Sequence, residues 1–284
     1  MNKRVIAIHL PQFHPFLEND EWWGKGFTEW TNVTKAKPRF LGHYQPHLPS
    51  DTGFYDLRLP EAREMQANMA REYGIYGFCY YHYWFNGKRL MDRPVKEILA
   101  SGQPDFPFML CWANENWSRN WDGKFRNILI EQHYSEEDDI EHMRYLCSKV
   151  FQDTRYIRID GKPVFAIYRS NFFPNMKHTI DVWRKVAKEE YGIELYLIRV
   201  ENEPDFGPKY LDCGFDSAMD FQPLLMGEFN AWWKNLPFRI MNHLFKGKYQ
   251  WFNKHFSYAS YVKYRIKKPL ADYKCFTVCF TGLG

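Results

Sequence analysis

Short apolar runs alternate along this chain with longer polar stretches patterned for helices, and that alternation predicts its elements. Val5 to His9, Tyr76 to Tyr81 and Phe108 to Trp112 read as the first three strands, each of strand length and rich in β-branched or aromatic residues. Val164 to Tyr168, Leu195 to Val200, Ser217 to Phe221 and Phe276 to Phe280 bring the series to seven. Between them, Glu61 to Tyr73 carries Ala62, Met65, Met69 and Ala70 on one helical stripe, with Gly74 placed as a cap. Pro94 to Ser101 forms a shorter helix. Ser135-Glu-Glu-Asp138 resembles a capping box and opens a helix to about Val150. Thr179 to Tyr191 is amphipathic and stops at Gly192. Tyr156 to Ile159, followed by Asp160-Gly161, reads as a hairpin or as the approach to the fourth strand. Leu10 to Pro49 is too long for a plain connection and is expected to be functional.

Strands that alternate with helices argue for parallel βα units. The repeated unit and the 284-residue length suit an α/β fold of the (β/α)8 TIM-type barrel class, which takes about 250 residues, as a single catalytic domain over 1–284. A doubly wound sheet is the alternative, and its Gly-rich phosphate fingerprint is absent. A closed barrel needs an eighth strand, yet the chain stops at Thr281-Gly-Leu-Gly284 just after the seventh. The barrel is therefore expected to be incomplete at the C-terminus, with its last strand missing and two unpaired, aggregation-prone edges.

Composition narrows the function. Aromatic residues reach 19%, more than a core alone requires, which favours a ligand rich in C–H faces. The formal net charge of +4 does not call for nucleic acid, and none is expected as a partner. Cys79 and Cys111 sit inside strands and read as small buried hydrophobes. Cys275 and Cys279 have no second pair beside them, so no zinc site is expected there. His43 and His47 enclose Pro46 and do not form a helical metal-binding pair. No metal and no cofactor are expected. Met1-Asn-Lys-Arg leads directly into a strand and no run reaches membrane-spanning length, so the expected compartment is the cytoplasm. Residues 230–270 differ from the rest. They interleave Trp232, Trp233, Trp251 and Tyr261 with Lys234, Lys246, Arg265 and Lys268 and contain no acidic residue, as an insertion touching the inner face of the plasma membrane would; a solvated insertion or lid between the sixth and seventh strands is the alternative.

Candidate chemistry gathers directly after the strands. His9, Gln12 and His14, then Glu29 and Trp30, follow the first; Tyr81, His82 and Trp84 follow the second. Trp112, Asn114, Glu115, Asn116, Trp117, Arg119, Trp121 and Asp122 follow the third, Glu201 the fifth, and Asp220 the sixth. In a barrel these ends meet on one face, where active sites form. Indole faces stack on sugar rings, amides and guanidinium bond hydroxyls, and carboxylates act at the anomeric carbon. Glu115 is the first choice as catalytic carboxylate, with Asp122, Glu29 and Glu201 as competing partners; the other residues named are candidate sugar contacts. A surface loop whose tryptophans cover the barrel end is the bland alternative for 112–122.

The motifs His9-Leu-Pro-Gln-Phe-His-Pro15, Gly26-Phe-Thr-Glu-Trp-Thr-Asn-Val33, Gly77-Phe-Cys-Tyr-Tyr-His-Tyr-Trp84 and Trp112-Ala-Asn-Glu-Asn-Trp-Ser-Arg-Asn-Trp-Asp-Gly123 resemble the WbsX-type glycosyltransferases of bacterial surface polysaccharides. The resemblance implies a (β/α)8 barrel shared with the endo-α-mannosidase glycoside hydrolases. It also implies a carbohydrate substrate, nucleotide- or lipid-linked, in lipopolysaccharide O-antigen or capsule synthesis. Hydrolysis of endo-α-mannosidase type and an inactive, truncated carbohydrate-binding remnant are the alternatives. A Trp-Asn-Glu-Trp-type motif expected on the family's last strand is missing.

Overall fold

The computed structural model describes residues 4–38, 44–118, 128–201, 207–222, 240 and 258–278. Its strands are β1 (Ile6–His9), β2 (Gly77–Phe85), β3 (Lys88–Leu90), β4 (Phe108–Trp112), β5 (Trp117–Ser118), β6 (Ile128–Ile130), β7 (Arg158–Ile159), β8 (Lys162–Ile167), β9 (Tyr196–Glu201), β10 (Ser217–Asp220) and β11 (Cys275–Thr277). The helices are α1 (Leu17–Trp23), α2 (Glu29–Lys35), α3 (Pro60–Glu72), α4 (Arg93–Ser101), α5 (Glu136–Tyr145), α6 (Met176–Tyr191) and α7 (Tyr258–Lys267).

Seven strands pair in the order β1-β2-β4-β8-β9-β10-β11, every pairing parallel. Each strand lies beside its predecessor, with helical segments between. A doubly wound sheet reverses its strand order at a switch point; this sheet never reverses, so it has the progression of a (β/α)8 barrel. Among the described residues β1 and β11 each have one partner, so the sheet is an open, curled part of a barrel. Ile8 and Phe276 on these two edge strands are 38% and 39% exposed.

Alternation along each strand divides the side chains between two layers. On β2, Phe78, Tyr80, His82 and Trp84 meet the helices, while Cys79, Tyr81, Tyr83 and Phe85 turn to the inner face. The helix-side layer is the main core, where Trp112, Phe165, Leu197, Ile180 and Trp183 are all essentially inaccessible. β2 has its own steric requirement: a Cβ on Gly77 would lie 2.6 Å from the Pro107 carbonyl oxygen, so only glycine lets the backbones approach this closely.

Several boundaries differ from the sequence reading for identifiable reasons. β2 continues four residues past Tyr81, because both faces of its aromatic C-terminal half are covered. α6 starts at Met176 rather than Thr179, capped by the Asn175 side chain accepting from the His178 amide at 3.1 Å. Ser135 caps α5 as its spacing predicts, its hydroxyl accepting from the Asp138 amide at 3.2 Å, but α5 gives way after Tyr145 to a π-turn over Leu146–Val150. β7 and β8 form the hairpin, turning through Asp160 and Gly161, both at positive φ. The loop from Leu10 to Pro49 contains α1 and α2.

The core hides a histidine pair. His82 Nε2 and His142 Nε2 are 2.9 Å apart, and Trp84 stacks on His142 at 4.5 Å and 9°. One ring must donate and the other accept, so the two cannot both be protonated. Burial lowers the pKa of His82 to about 3 and that of His142 well below the usual imidazole value. The native state therefore holds fewer protons on these rings than the unfolded chain between about pH 3 and 6.5, and their contribution to stability is present above that window and lost on acidification. Asp139, pushed up to about 6 by burial, acts in the opposite direction. The informative measurement is thus the change in urea midpoint between pH 7 and pH 5, compared for wild type and His82→Leu. The variant should lose less on acidification; equal losses would show that His82 does not remain neutral in the fold.

Candidate active site

The C-terminal ends of all seven parallel strands lie at one edge of the sheet, and the inner-face side chains there form the site. Asn114, just beyond β4 and 0% exposed, is its fixed point. Its Oδ1 accepts from the Arg169 amide at 2.8 Å, and its Nδ2 donates to the Arg169 carbonyl at 2.8 Å. Nδ2 also donates to the Tyr134 hydroxyl at 3.0 Å, which in turn donates to the Asn114 carbonyl at 2.7 Å. A side-chain amide thus mimics a strand partner and ties the exit of β4 to the exit of β8.

This clamp sets Arg169 beside Glu115. Arg169 Nε donates to Glu115 Oε1 at 2.8 Å, with the carboxylate side chain 40% exposed. The guanidinium lies 5.3 Å from the centre of the Tyr168 ring and 5.7 Å from that of Phe172. Tyr168 lies edge-on to Tyr81 at 6.1 Å and to Phe221 at 5.6 Å. Tyr81 approaches Tyr83 at 6.4 Å, and Tyr83 approaches Trp117 at 5.1 Å. Gln12 Nε2 donates to the Tyr83 hydroxyl at 3.3 Å. The result is an aromatic wall between the loops after β1, β2, β4 and β8.

Two carboxylates act electrostatically on this wall. Burial raises the pKa of Tyr168, and the charge of Glu115 raises it further. Burial likewise raises that of Tyr83, with Glu29 among the lesser causes. Glu29 itself, at the start of α2, has its pKa raised by burial, offset by a hydrogen bond from Asn32 Nδ2 at 3.2 Å. One carboxylate is paired with a cation, while the other is half-buried with no cation partner among the described residues.

The profile of the family described as "Glycosyltransferase WbsX" matches residues 5–283. The chain belongs to the WbsX glycosyltransferase family. It is 42% identical over 219 residues to the uncharacterized protein WxcX of Xanthomonas campestris pv. campestris in two strains, covering 77% of this chain and 31% of that protein. The chain thus spans about a third of the length of the curated relatives it matches. Among solved structures it overlaps the GH99 endo-alpha-mannosidase from Bacteroides thetaiotaomicron with a TM-score of 0.49 and 12% identity, over 87% of this chain and 68% of that one. A second overlap, with a "Glycoside hydrolase-like protein", has a TM-score of 0.44 and 16% identity over 66% and 62% of the two chains. The fold assignment rests on the strand order above.

Within this WbsX chain, the residues singled out from sequence divide by strand parity. Tyr81, Trp117, Gln12 and Glu29 meet around Tyr83, and Glu115 lies beside Arg169 and Tyr168, which in turn approaches Tyr81. His9, His82, Trp84 and Trp112 sit at the same sheet edge but face the helices: His9 bonds Gln66 of α3 at 3.0 Å, Trp84 donates to Asp138 at 2.9 Å, and Trp112 lies 6.0 Å from Trp183 of α6. Their partners are protein groups, and each is at most 9% exposed. Glu201 accepts from Arg199 at 2.9 Å and from the Tyr273 hydroxyl at 2.6 Å, linking β9 to the approach to β11. Asp220 pairs with Arg265 of α7. Trp30 braces its loop, donating to the Tyr55 carbonyl at 2.8 Å, and Asn116 Oδ1 accepts from the Gln132 amide at 2.7 Å beside the β5–β6 hairpin. His14 lines a separate cleft. Arg119, Trp121 and Asp122 lie outside the described residues. The sequence reading missed Tyr83, Tyr134, Tyr168 and Arg169. Tyr168 ends the fourth predicted strand and Arg169 directly follows it, a position that marked candidates after most of the other strands.

Asn114→Ala would leave the buried Arg169 backbone groups without their partner, so it should cost at least about 1–3 kcal/mol in urea unfolding. A cost below about 0.5 kcal/mol, as for an ordinary surface change, would show that the clamp does not hold the site together.

Proposed function

We propose that this chain acts on glycosidic bonds as a sugar-transferring enzyme of bacterial surface-polysaccharide synthesis, lipopolysaccharide O-antigen or capsule, with Glu115 and Glu29 in separate roles. The supporting observation is the contrast between the two carboxylates at one aromatic mouth: Glu115 faces Arg169 at 2.8 Å, whereas Glu29 is half-buried and raised in pKa by desolvation. Pairs of acids whose environments differ in this way divide the work of acid and base. Glu29 would hold the proton given to the departing oxygen. Glu115, paired with Arg169, would stabilise positive charge at the anomeric carbon or take the proton of the attacking hydroxyl. The Tyr81, Tyr168 and Trp117 rings would offer faces to the sugar. With water in place of an acceptor sugar, the same pair would hydrolyse the bond; that second reading draws on the two-carboxylate arrangement itself.

The test uses aryl glycosides as donors, with and without an acceptor sugar. Glu115→Gln should remove turnover on every donor. Glu29→Gln should lose about 10²–10⁴-fold on donors with poor leaving groups and recover on p-nitrophenyl donors, which depart without a proton. Because the acid form of Glu29 is required, wild-type activity should fall as pH rises through its raised pKa, and that limb should vanish in Glu29→Gln. Full turnover by Glu115→Gln would sink the assignment.

The substrate would be presented in the cytoplasm, at the membrane surface. No helix among the described residues is long and apolar enough to cross a membrane. α7, the described part of the basic 230–270 segment, exposes Ile266 and, just beyond it, Leu270 at 78% and 85% beside Lys267 and Lys268. Co-sedimentation with vesicles should need anionic lipid and weaken with salt. Binding that ignores both lipid charge and salt would refute this contact.

A further inference from the structure

A cleft of about 480 Å³ opens beside the mouth, between the loop after β1, the start of α1 and the β3–α4 connection. That volume lies within the roughly 300–1,000 Å³ of small-ligand sites. His14 lines it and is 1% exposed, yet neither ring nitrogen has a hydrogen-bond partner among the described residues. The Pro11 carbonyl is near the ring without completing a bond to it. A buried polar ring without partners calls for an explanation.

Three of the four cationic side chains lining the cleft already face carboxylates, Lys25 being the fourth. Arg58 pairs with Asp56 at 2.7 Å, Arg89 with Asp92 at 3.5 Å, and Arg93 with Glu97 at 2.7 Å. Glu18 and Asp20 also line the cleft, the first paired with Lys88 at 2.8 Å and the second accepting from the Gly26 amide at 2.8 Å. A phosphate would meet carboxylates as well as guanidinium groups here. What the lining offers is a mixture of fixed donors and acceptors over an apolar floor that includes Phe16 and Met91. Sugar hydroxyls both donate and accept, and sugar C–H faces suit that floor.

We propose that this cleft is a second carbohydrate subsite, distinct from the Glu115 mouth, that binds an uncharged sugar unit with His14 and the Arg93 rim as its polar contacts. It rests on the carbohydrate reading of the chain but requires no chemistry at Glu115. The neutral His14 ring can donate from one nitrogen and accept at the other, as one hydroxyl pair on a sugar requires.

Ligand-observed NMR on the full 284-residue chain tests it, with methyl α-glycosides of glucose, mannose and galactose as neutral probes and inorganic phosphate as the anionic one. At least one glycoside should bind, and His14→Leu and Arg93→Gln should each weaken it about 5-fold, the effect of one lost hydrogen bond. Arg93 is 54% exposed, so its substitution keeps the test valid even if His14→Leu fails to fold. Binding should persist in Glu115→Gln. Phosphate binding that displaces the glycosides, no glycoside binding, or binding lost in Glu115→Gln but kept in both cleft variants would each overturn the proposal. Failure of the catalytic reading is seen separately, as aryl-glycoside turnover that survives Glu115→Gln.

Discussion

The site depends on one side-chain amide. Asn114 is inaccessible, and its oxygen and nitrogen grip both backbone groups of Arg169 at 2.8 Å. Two strand exits that would otherwise diverge into separate loops are locked in register. The ion pair of Arg169 with Glu115 follows from that lock, since the guanidinium starts from a fixed backbone and rests beside Tyr168 and Phe172. A residue with no reacting group thereby sets the geometry of the carboxylate proposed to react.

The two faces of the sheet carry different kinds of aromatic residue work. On the helix side, His82, Trp84, Trp112 and His142 make a stacked core whose polar atoms are satisfied largely within the protein. On the inner side, Tyr81 and Tyr168 are only partly buried at the mouth, and Tyr83 is buried against Trp117. One strand, β2, supplies both sets in alternation, so the dense motif from Gly77 to Trp84 is half scaffold and half candidate site.

The fold was largely legible in the sequence because apolar runs and helical stripes alternate without interruption. The seven predicted strands correspond in position to the seven parallel ones, and the Ser135 cap is where its spacing puts it. The site was less legible. Motif density pointed to His82 and Trp112, but a period of two sends them to the helix side, and only strand phase could have said so. Arg169 carries no motif of its own; its role comes from contact with Glu115 across 54 positions. Glu201 and Asp220 are charged residues after strands, yet their partners Arg199, Tyr273 and Arg265 make them struts.

The neighbour order of the sheet has a consequence for synthesis. Because each parallel strand pairs with the one made before it, the sheet can be laid down in the direction of translation. β1 must wait for the long excursion through α1, α2 and α3 before Gly77 reaches Ile6, but after that each new βα unit docks on a surface already present. Growth of this kind confines addition to one leading edge, opposite the open edge of β1, and the ribosome would release a sheet that is already ordered behind that edge.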